Sequence, residues 1–201
     1  MALNFANNNS LSAITTKPSG LSGGALNLIS TQTASASATI SFTSGIDSTY
    51  DSYVFKFYDI HPATDETQFQ VNFSIDSGSN YNVTKTTTNF NAYHNEADSS
   101  TILGYNSSWD LAQSTAAQPL TTNTGNDNDQ SVSGELIIYN PSSTTFVKHF
   151  IANVNTSSGD NYTVNLYTAG YGNTTSAIDA IQFKMSSGNI DSGVIKLYGI
   201  S

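Results

Sequence analysis

The amino-acid sequence predicts an all-β protein, an antiparallel β-sandwich that is jelly-roll-like and has an extended N-terminal arm. Apolar residues alternate with polar residues over short segments, which is typical of half-buried strands. Turn-forming residues separate these segments at fairly even spacing, a pattern that favours a sandwich over βαβ units. Only 10% of the 201 residues are charged, and the abundant Ser, Thr and Asn that replace them disfavour long helices.

The first predicted strands lie between residues 26 and 75. Apolar and polar residues alternate from 36 to 42, so this segment is predicted to be one uninterrupted strand. Residues 53–58 are apolar on both faces, which indicates a central strand. Another strand is predicted at 69–75, and it ends in the turn-forming residues of 76–80.

The middle of the chain is less regular. Alternation resumes at 81–87 and continues towards residue 93, whereas 95–104 is predicted to be a loop. One short helical turn is expected at 107–112. The stretch 121–133 is the most polar in the chain, and its residues 125–129 are of a kind that no core is expected to hold.

The last third of the chain completes a set of about nine or ten predicted strands. A turn is expected at 170–173, with Tyr171 between two glycines. The other predicted strands of this region are 136–139, 146–152, 162–167, 178–183 and 194–200.

Residues 1–24 are predicted to be an N-terminal arm and linker, and residues 25–201 a single β-sandwich domain. The run 17–24 is rich in Ser and Gly and contains a proline, as linkers do. The apolar residues of the arm are too sparse for a core, so the arm is either a tail without contacts or a peg that docks on another protein. We expect a peg, with these docking residues: Leu3, Phe5, Leu11 and Ile14.

Composition and charge exclude several classes of function. The net charge is −9, and the 6 basic residues, all lysines, are scattered along the chain. Nucleic-acid binding needs clustered cations that neutralise phosphates, so neither nucleic acid nor an anionic membrane surface is an expected partner. The sequence contains no recognisable signal peptide and no apolar run of membrane-spanning length, so membrane insertion is not expected. Without cysteine, the chain can form neither a disulfide nor a thiolate metal site.

Metal and catalytic sites are not predicted. The spacing of His61, His94 and His149 does not bring them together, so a shared metal is not expected. Asp127 and Asp129 offer the oxygens that Ca²⁺ prefers, but no glutamate completes a calcium loop, and a solvated loop is the favoured interpretation. Nucleophile elbows, phosphate loops and dinucleotide fingerprints do not occur, and no acid pair is indicated for glycoside cleavage. The chain is therefore predicted to be no enzyme and to use no cofactor.

Aromatic residues in or near predicted loops are the stronger signal of function. Tyr93, Tyr105, Trp109 and Tyr171 are predicted to contact a ligand or a partner protein. Aromatic rings serve both as stacking platforms for sugars and as anchors of interfaces. Tyr171 is the first choice because its flanking glycines make it hard to bury. The alternative for Tyr105 and Trp109 is that they pack beneath a long loop.

Several segments resemble a group of known proteins: 30–40, 42–50, 53–57, 60–65, 178–183 and 188–200. The most specific of them is a Ser-Gly pair followed by a strand that ends in Leu-Tyr-Gly-Ile at 197–200. Over residues 25–201 the chain resembles small structural proteins of marine and freshwater tailed phages. The resemblance implies a virion protein with a β-sandwich, on the head or the tail, and it supplies no catalytic residues.

The leading functional hypothesis is a structural protein on the virion surface, a capsid decoration or head-fibre subunit anchored by its arm. Its partners would be other virion proteins of the capsid or tail and further copies of itself, in a trimer or a similar oligomer. The alternative is a tail-tip or tail-fibre module that binds host-surface carbohydrate through its loop tyrosines. A hydrolase of host polysaccharide is the third and least favoured hypothesis.

Overall fold

The computed structural model describes residues 25–200. This part of the chain forms twelve strands, more than predicted. They are β1 (Leu26–Ser37), β2 (Ile40–Phe42), β3 (Ser52–Pro62), β4 (Phe69–Ser74), β5 (Lys85–Asn95), β6 (Thr101–Tyr105), β7 (Gln118–Pro119), β8 (Val132–Tyr139), β9 (Lys148–Ser157), β10 (Tyr162–Gly172), β11 (Ala180–Met185) and β12 (Ile190–Ile200).

The strands form two antiparallel sheets. The large sheet has eight strands in the order β1-β12-β3-β8-β9-β10-β5-β6, and the small sheet has four in the order β2-β11-β4-β7. The all-β antiparallel sandwich is therefore confirmed, whereas its likeness to a jelly roll stays a prediction and the arm lies outside the described residues. None of residues 25–200 belongs to a helix with the length and hydropathy of a membrane span.

The predicted strand at 36–42 is in fact two strands, because the chain crosses from the large sheet to the small sheet within it. Ala36 has a φ of 48°, a left-handed conformation that bends the chain out of a regular strand. β1 then ends at Ser37, and β2 begins at Ile40, which pairs with Phe183 of β11. Apolar and polar residues keep alternating across this break, so the pattern alone could not reveal it.

One half of the interior is aromatic. The ring of Phe183 lies at its centre, with ring centroids 5.2 to 6.3 Å from those of four other phenylalanines. These four are Phe42, Phe55, Phe57 and Phe69, all fully buried. Two of these four ring pairs meet edge to face, one is tilted and one is stacked, and both edge-to-face and offset-stacked arrangements suit the quadrupoles of aromatic rings. We call this region, between β3 and β12 of the large sheet and the small sheet, the aromatic half.

The other half of the interior, beneath β10 and β5, combines the polar inward side chains of β5 with the apolar Val164 and Leu166 of β10. All the inward side chains along most of β5 are polar and buried: Lys85, Thr87, Asn89 and Asn91. The small sheet has half as many strands as the large one, so the segment 106–131 covers this region. Its Gln118, for example, accepts a hydrogen bond of 2.7 Å from the Thr87 hydroxyl. We call this region the polar half.

The very polar segment 121–133 lies partly in the interior. Thr121 and Thr124 are fully buried and share a side-chain hydrogen bond of 2.9 Å. Gly125 is buried as well, so the expectation for 125–129 is wrong at its first residue, whereas the other residues of that run are exposed. Hydroxyl groups can be buried where each finds a partner, so polarity alone does not place a segment on the surface.

Two loop predictions also differ from the structure. β6 forms the end of the predicted loop 95–104, where it pairs with β5 and becomes the edge of the large sheet. No helical turn forms at 107–112. Instead, Asn106 Oδ1 accepts a hydrogen bond of 3.0 Å from the backbone N–H of Ser108, which fixes a tight turn there.

The predicted turn at 170–173 is mainly the end of a strand. Tyr171 lies in β10, directly opposite Thr86 of β5 and His149 of β9. The neighbouring Gly170 is required for close packing, because a Cβ there would lie 2.5 Å from the backbone oxygen of Thr86. The sequence alone does not distinguish a glycine that allows close approach of two backbones within a sheet from a glycine that forms a turn.

Candidate functional site

A cleft opens on the inner side of the large sheet near its β6 edge, at the end of the polar half. We call it the edge cleft; its volume is about 330 Å³. Strands β5, β6 and β10 form its floor, and the covering segment and the β9–β10 turn form its walls. The lining residues are Asn91, Tyr93, Ile102, Gly104, Tyr105, Asn106, Trp109, Thr122, Asn123, Ser158, Asp160, Tyr162 and Val164.

Aromatic side chains shape the edge cleft. Tyr93 of β5 and Tyr162 of β10 meet edge to face, with ring centroids 5.1 Å apart and ring planes at 88°. Trp109 approaches from the covering segment, where its backbone oxygen accepts a hydrogen bond of 2.8 Å from the Gln118 side chain. All three rings are half-buried. The cleft is thus lined by rings that are fixed by packing and still reachable.

Two buried polar side chains in the edge cleft have no partner. Asn91 and Thr122 are each 6% exposed. Neither side chain forms a hydrogen bond with any residue between 25 and 200. Nearly all buried polar groups in folded proteins are hydrogen-bonded. Both residues line the cleft, and their polar atoms are accessible from it, so a molecule that occupies the cleft can form hydrogen bonds with them.

The charge of the edge cleft is neutral to negative. Among its lining residues there is no lysine, arginine or histidine, and the one ionisable acid is Asp160. This carboxylate belongs to an exposed residue, and the backbone N–H of the same residue donates a 3.2 Å hydrogen bond to Ser158 Oγ. The cleft therefore has no cation that could offset the charge of an anionic ligand.

Three of the four predicted aromatic contact residues lie at the edge cleft: Tyr93, Tyr105 and Trp109. Tyr105 is the least enclosed of them. It lies directly opposite Phe90 in register, so its side chain leaves β6 on the face of the large sheet that points away from the small sheet. The Tyr105 hydroxyl donates a hydrogen bond to Asp110 Oδ2, which raises the pKa of this hydroxyl. Tyr171 lies elsewhere, on the other side of the large sheet. The predicted arm residues Leu3, Phe5, Leu11 and Ile14 lie outside the described residues.

Sequence reasoning did not identify Asn91, Thr122 or Tyr162 as site residues. Asparagine and threonine are abundant throughout this chain, so neither residue stands out by composition. The available signal was the alternation of side chains between the two faces of a strand. Asn91 is six positions from Lys85, an even number, so the two side chains share the inward face of β5. That signal becomes useful only when the partner strands and their register are known.

The opposite side of the large sheet has a second candidate surface. We call it the outer face, meaning the face that points away from the small sheet. One apolar row crosses six strands in direct register: Leu28, Tyr198, Val54, Ile137, Ile151 and Ala169. Directly opposed residues of antiparallel strands share a face, so these side chains lie in one row, in which Leu28 and Ile151 are exposed and Val54 is buried.

Further exposed aromatic groups flank this row. Phe90 and Tyr167 stack with centroids 4.9 Å apart and ring planes at 9°. Near the end of β10, Tyr171 packs against the His149 ring at 6.1 Å. A shallow groove of about 520 Å³ lies here. The outer face is therefore apolar and aromatic along this row and near the end of β10, whereas the next row on the same face contains Lys196, Lys56, Glu135 and Asn153.

The polar half also contains two buried lysines, although the sequence showed only that the lysines are scattered along the chain. Lys85 and Lys148 lie on either side of Gly172, directly opposite it in register. Lys85 Nζ donates hydrogen bonds to Asn72 Oδ1 (2.6 Å) and to the Val83 backbone oxygen (2.8 Å). Burial lowers the pKa of Lys85 to about 8 and also lowers the pKa of Lys148. Both ammonium groups are held by neutral oxygens of amide groups.

The three histidines lie apart from one another. His61 bonds a backbone oxygen at 2.8 Å, His94 contacts Asp98 at 3.0 Å, and His149 lies on the outer face. Residues 126–129, which contain the two aspartates weighed as calcium ligands, are exposed. Across residues 25–200 no group of three or more His, Cys, Asp and Glu side chains could hold a metal ion.

The edge cleft and the outer face lie on opposite sides of one sheet. A ligand in the cleft and a protein on the outer face could therefore be bound at the same time. Comparisons with known proteins found no matching family model, no matching curated protein and no matching solved structure.

Proposed function

We propose that this chain is a non-enzymatic structural protein on the surface of a tailed-phage virion, a capsid decoration or head-fibre subunit. The observation that carries the proposal is the apolar row across the outer face. A strip of this kind is costly to leave in water, and apolar surface of this extent is characteristic of stable interfaces. The resemblance to tailed-phage structural proteins supports the virion as its location.

The outer face can supply the centre of a specific contact. Strands about 4.8 Å apart and rows about 7 Å apart give the two rows rich in apolar and aromatic residues dimensions of about 30 by 14 Å. That is on the order of 400 Å² before the relief of the side chains is counted, about half of the ~800 Å² per partner of a standard interface, so flanking polar residues must complete the contact. The area is consistent with a protein partner.

The partner that we propose for the outer face is another copy of this chain, since soluble oligomers are mostly symmetric assemblies of identical subunits. A trimer is the expected assembly. The arm at 1–24 would then anchor the assembly to a capsid protein. In this arrangement the edge cleft points away from the subunit contact.

The oligomeric state of the full chain tests this proposal. Ile151 is 46% exposed in the middle of the apolar row, and Ile75 is 42% exposed just beyond β4 of the small sheet. In sedimentation equilibrium, Ile151→Glu should convert oligomers into monomers, because it places a charge in the contact. Ile75→Glu, the matched control, should leave the assembly intact. A monomeric wild-type chain at the concentrations found on particles would contradict the self-association.

A second experiment tests the virion itself. Quantitative mass spectrometry of purified particles gives the copy number of this chain relative to the major capsid protein. A ratio comparable to that of the capsid protein supports head decoration. A small number in multiples of three or six supports a place on the tail. Particles that lack the chain rule out the virion proposal.

A tail-tip or tail-fibre module that binds host carbohydrate is the second candidate function. The specific observation that favours it is the edge cleft, where aromatic rings and unpartnered polar side chains meet. Sugar recognition uses this combination, because a pyranose ring has both an apolar C–H face and a rim of hydroxyls.

A further inference from the structure

We propose that the edge cleft binds an uncharged sugar, a hexose or N-acetylhexosamine unit of a glycan. This inference goes beyond the structural role and does not depend on it, because the cleft and the outer face lie on opposite sides of the large sheet. It rests on the volume, the rings, the unpartnered polar groups and the charge of the cleft.

The volume of the edge cleft sets the size of the ligand. At about 330 Å³, it lies at the lower end of the range for small-molecule sites. That space suits one or two pyranose rings, whereas a folded protein segment would need a longer groove. The cleft opens at the sheet edge, so a longer glycan can continue into solvent from either end.

The rings provide a surface for the C–H face of the sugar. Tyr93 and Tyr162 hold each other edge to face, so their orientation is fixed before a ligand arrives. Trp109 completes the apolar part of the lining from the covering segment. Rigid aromatic side chains lose little conformational entropy on binding, which favours recognition by a preformed site.

Asn91 and Thr122 provide the directional contacts. An amide can donate and accept hydrogen bonds at once, and so can a hydroxyl, which matches adjacent sugar hydroxyls. Neither side chain has a partner within residues 25–200, although both are more than nine-tenths buried. Their polar atoms are accessible from the cleft, so both side chains can form hydrogen bonds with the hydroxyl groups of a ligand.

Charge selects neutral sugars over acidic ones. The lining has no cation, and its one ionisable acid is Asp160. A sialic acid, uronic acid or sugar phosphate would bring a negative charge towards this carboxylate without a compensating partner. The net charge of −9 adds long-range repulsion of anions. Neutral hexoses and N-acetylhexosamines avoid this cost.

Calorimetric titration of the full-length protein tests the proposal with defined probes. The neutral probes are lactose, maltose, cellobiose, mannobiose and N,N′-diacetylchitobiose, and the acidic probes are sialyllactose and digalacturonic acid. We expect at least one neutral disaccharide to bind with a Kd in the range of about 0.1 to 10 mM. Where lactose binds, sialyllactose should bind at least about tenfold more weakly. If none of the neutral probes binds at 10 mM or below, on the order of the weakest specific affinities, or if an acidic probe is preferred, the proposal is wrong.

Variants locate the site. Trp109→Ala should weaken binding by about tenfold or more through the loss of a stacking surface. Thr122→Val keeps the shape of the side chain and removes only the hydroxyl, so it should weaken binding with little change in fold. Tyr171→Ala removes an equally half-buried ring from the outer face and should leave affinity unchanged. Loss of affinity in Tyr171→Ala, with Thr122→Val unaffected, would move the site away from the cleft.

The sugar site and the assembly surface can be tested separately. Ile151→Glu lies on the outer face, so it should retain full affinity for the sugar even if it becomes monomeric. A sugar affinity that disappears together with the oligomer would show that the cleft is not a complete site within one chain.

Discussion

The aromatic half and the polar half of the interior are both built on antiparallel strands of the large sheet, but they differ in the side chains that they bury. In the aromatic half, Phe183 packs against four phenylalanine rings, and no hydrogen bond is needed to satisfy them. In the polar half, amide, hydroxyl and ammonium groups point to the same side of the same large sheet. Burial of apolar surface is non-directional, whereas each buried polar group needs a partner in a defined position.

This difference explains where the candidate site lies. Where the small sheet covers the large one, buried aromatic and aliphatic side chains pack against one another. Where the small sheet ends, the covering segment must satisfy the polar side chains of β5 one at a time. It satisfies Thr87 through Gln118, but it leaves Asn89 Oδ1 without a partner and it leaves Asn91 facing the cleft. The candidate site is thus the region in which the covering segment does not provide hydrogen-bond partners for all the polar side chains of β5.

The largest expected effect is in the aromatic half. Phe183→Ala removes the ring that touches four others, and truncation of a buried phenylalanine costs about 3 to 5 kcal/mol. Urea denaturation should show this loss in the free energy of unfolding. Phe146→Ala is the matched control, because Phe146 is 69% exposed and its removal should change stability by less than about 0.5 kcal/mol. Equal losses in the two variants would contradict the packing described for the aromatic half.

The polar half should respond to pH through Lys85. Its pKa is lowered to about 8 in the folded protein from a reference value of 10.5. Between these two values the unfolded chain binds more protons than the folded protein, so the free energy of unfolding should increase as pH rises. The two pKa values differ by about 2.5, and each pH unit between them adds about 1.36 kcal/mol. The free energy of unfolding should therefore increase by about 3 kcal/mol between pH 8 and 10.5.

Denaturation curves of wild type and Lys85→Met across this pH range check the prediction. Subtraction of the two curves removes the contribution of the other titrating groups. Lys85→Met should lose the contribution of Lys85 and keep only that of Lys148, whose pKa burial also lowers, whereas the control Lys184→Met, on β11 of the small sheet, should retain both. If wild type and Lys85→Met have the same slope, the ammonium group is not buried as described.

The fold class and the aromatic half could be predicted from the sequence. Period-two alternation identifies strands, and the phenylalanines of β3 and β4 follow it directly. The change of sheet at Ala36 could not be predicted, because the alternation continues across the bend. Nor could the burial of Lys85, because parity gives the face of a strand but not the element that covers it.

The candidate site could be predicted only in part. Tyr93 and Trp109 were identifiable as aromatic residues near loops, and the structure brings them to one cleft. Tyr171 belonged to the same prediction, but strand register places it on the outer face. Asn91 needed both register and the path of the covering segment, which are long-range properties of the fold and are not encoded in any short window.

A smaller effect is expected at the threonine cluster of the polar half. Thr124 Oγ1 bonds the hydroxyls of Thr121 (2.9 Å) and Thr156 (3.1 Å), and all three residues are buried. Thr124→Val keeps the volume and leaves two hydroxyls short of a partner, at a cost of about 1 to 3 kcal/mol. Thermal and urea unfolding measure the loss. The surface control Thr145→Val should change stability by less than about 0.5 kcal/mol. An unchanged Thr124→Val would mean that the cluster packs as apolar methyl groups do.

The smallest effect is expected where a polar pair is removed as a unit. Asn89 Nδ2 donates a 3.0 Å hydrogen bond to Thr168 Oγ1, and Asn89 Oδ1 has no partner within the described residues. Thr168→Val alone should destabilise by about 1 to 2 kcal/mol, because it leaves the amide fully unpaired. The double variant Asn89→Val/Thr168→Val removes donor and acceptor together, so it should lie within about 1 kcal/mol of wild type. A double-mutant cycle in urea gives the coupling directly. If the double variant is less stable than Thr124→Val, Asn89 contributes to stability through packing or through further hydrogen bonds. Packing would then stabilise the polar half as well, as it does the aromatic half.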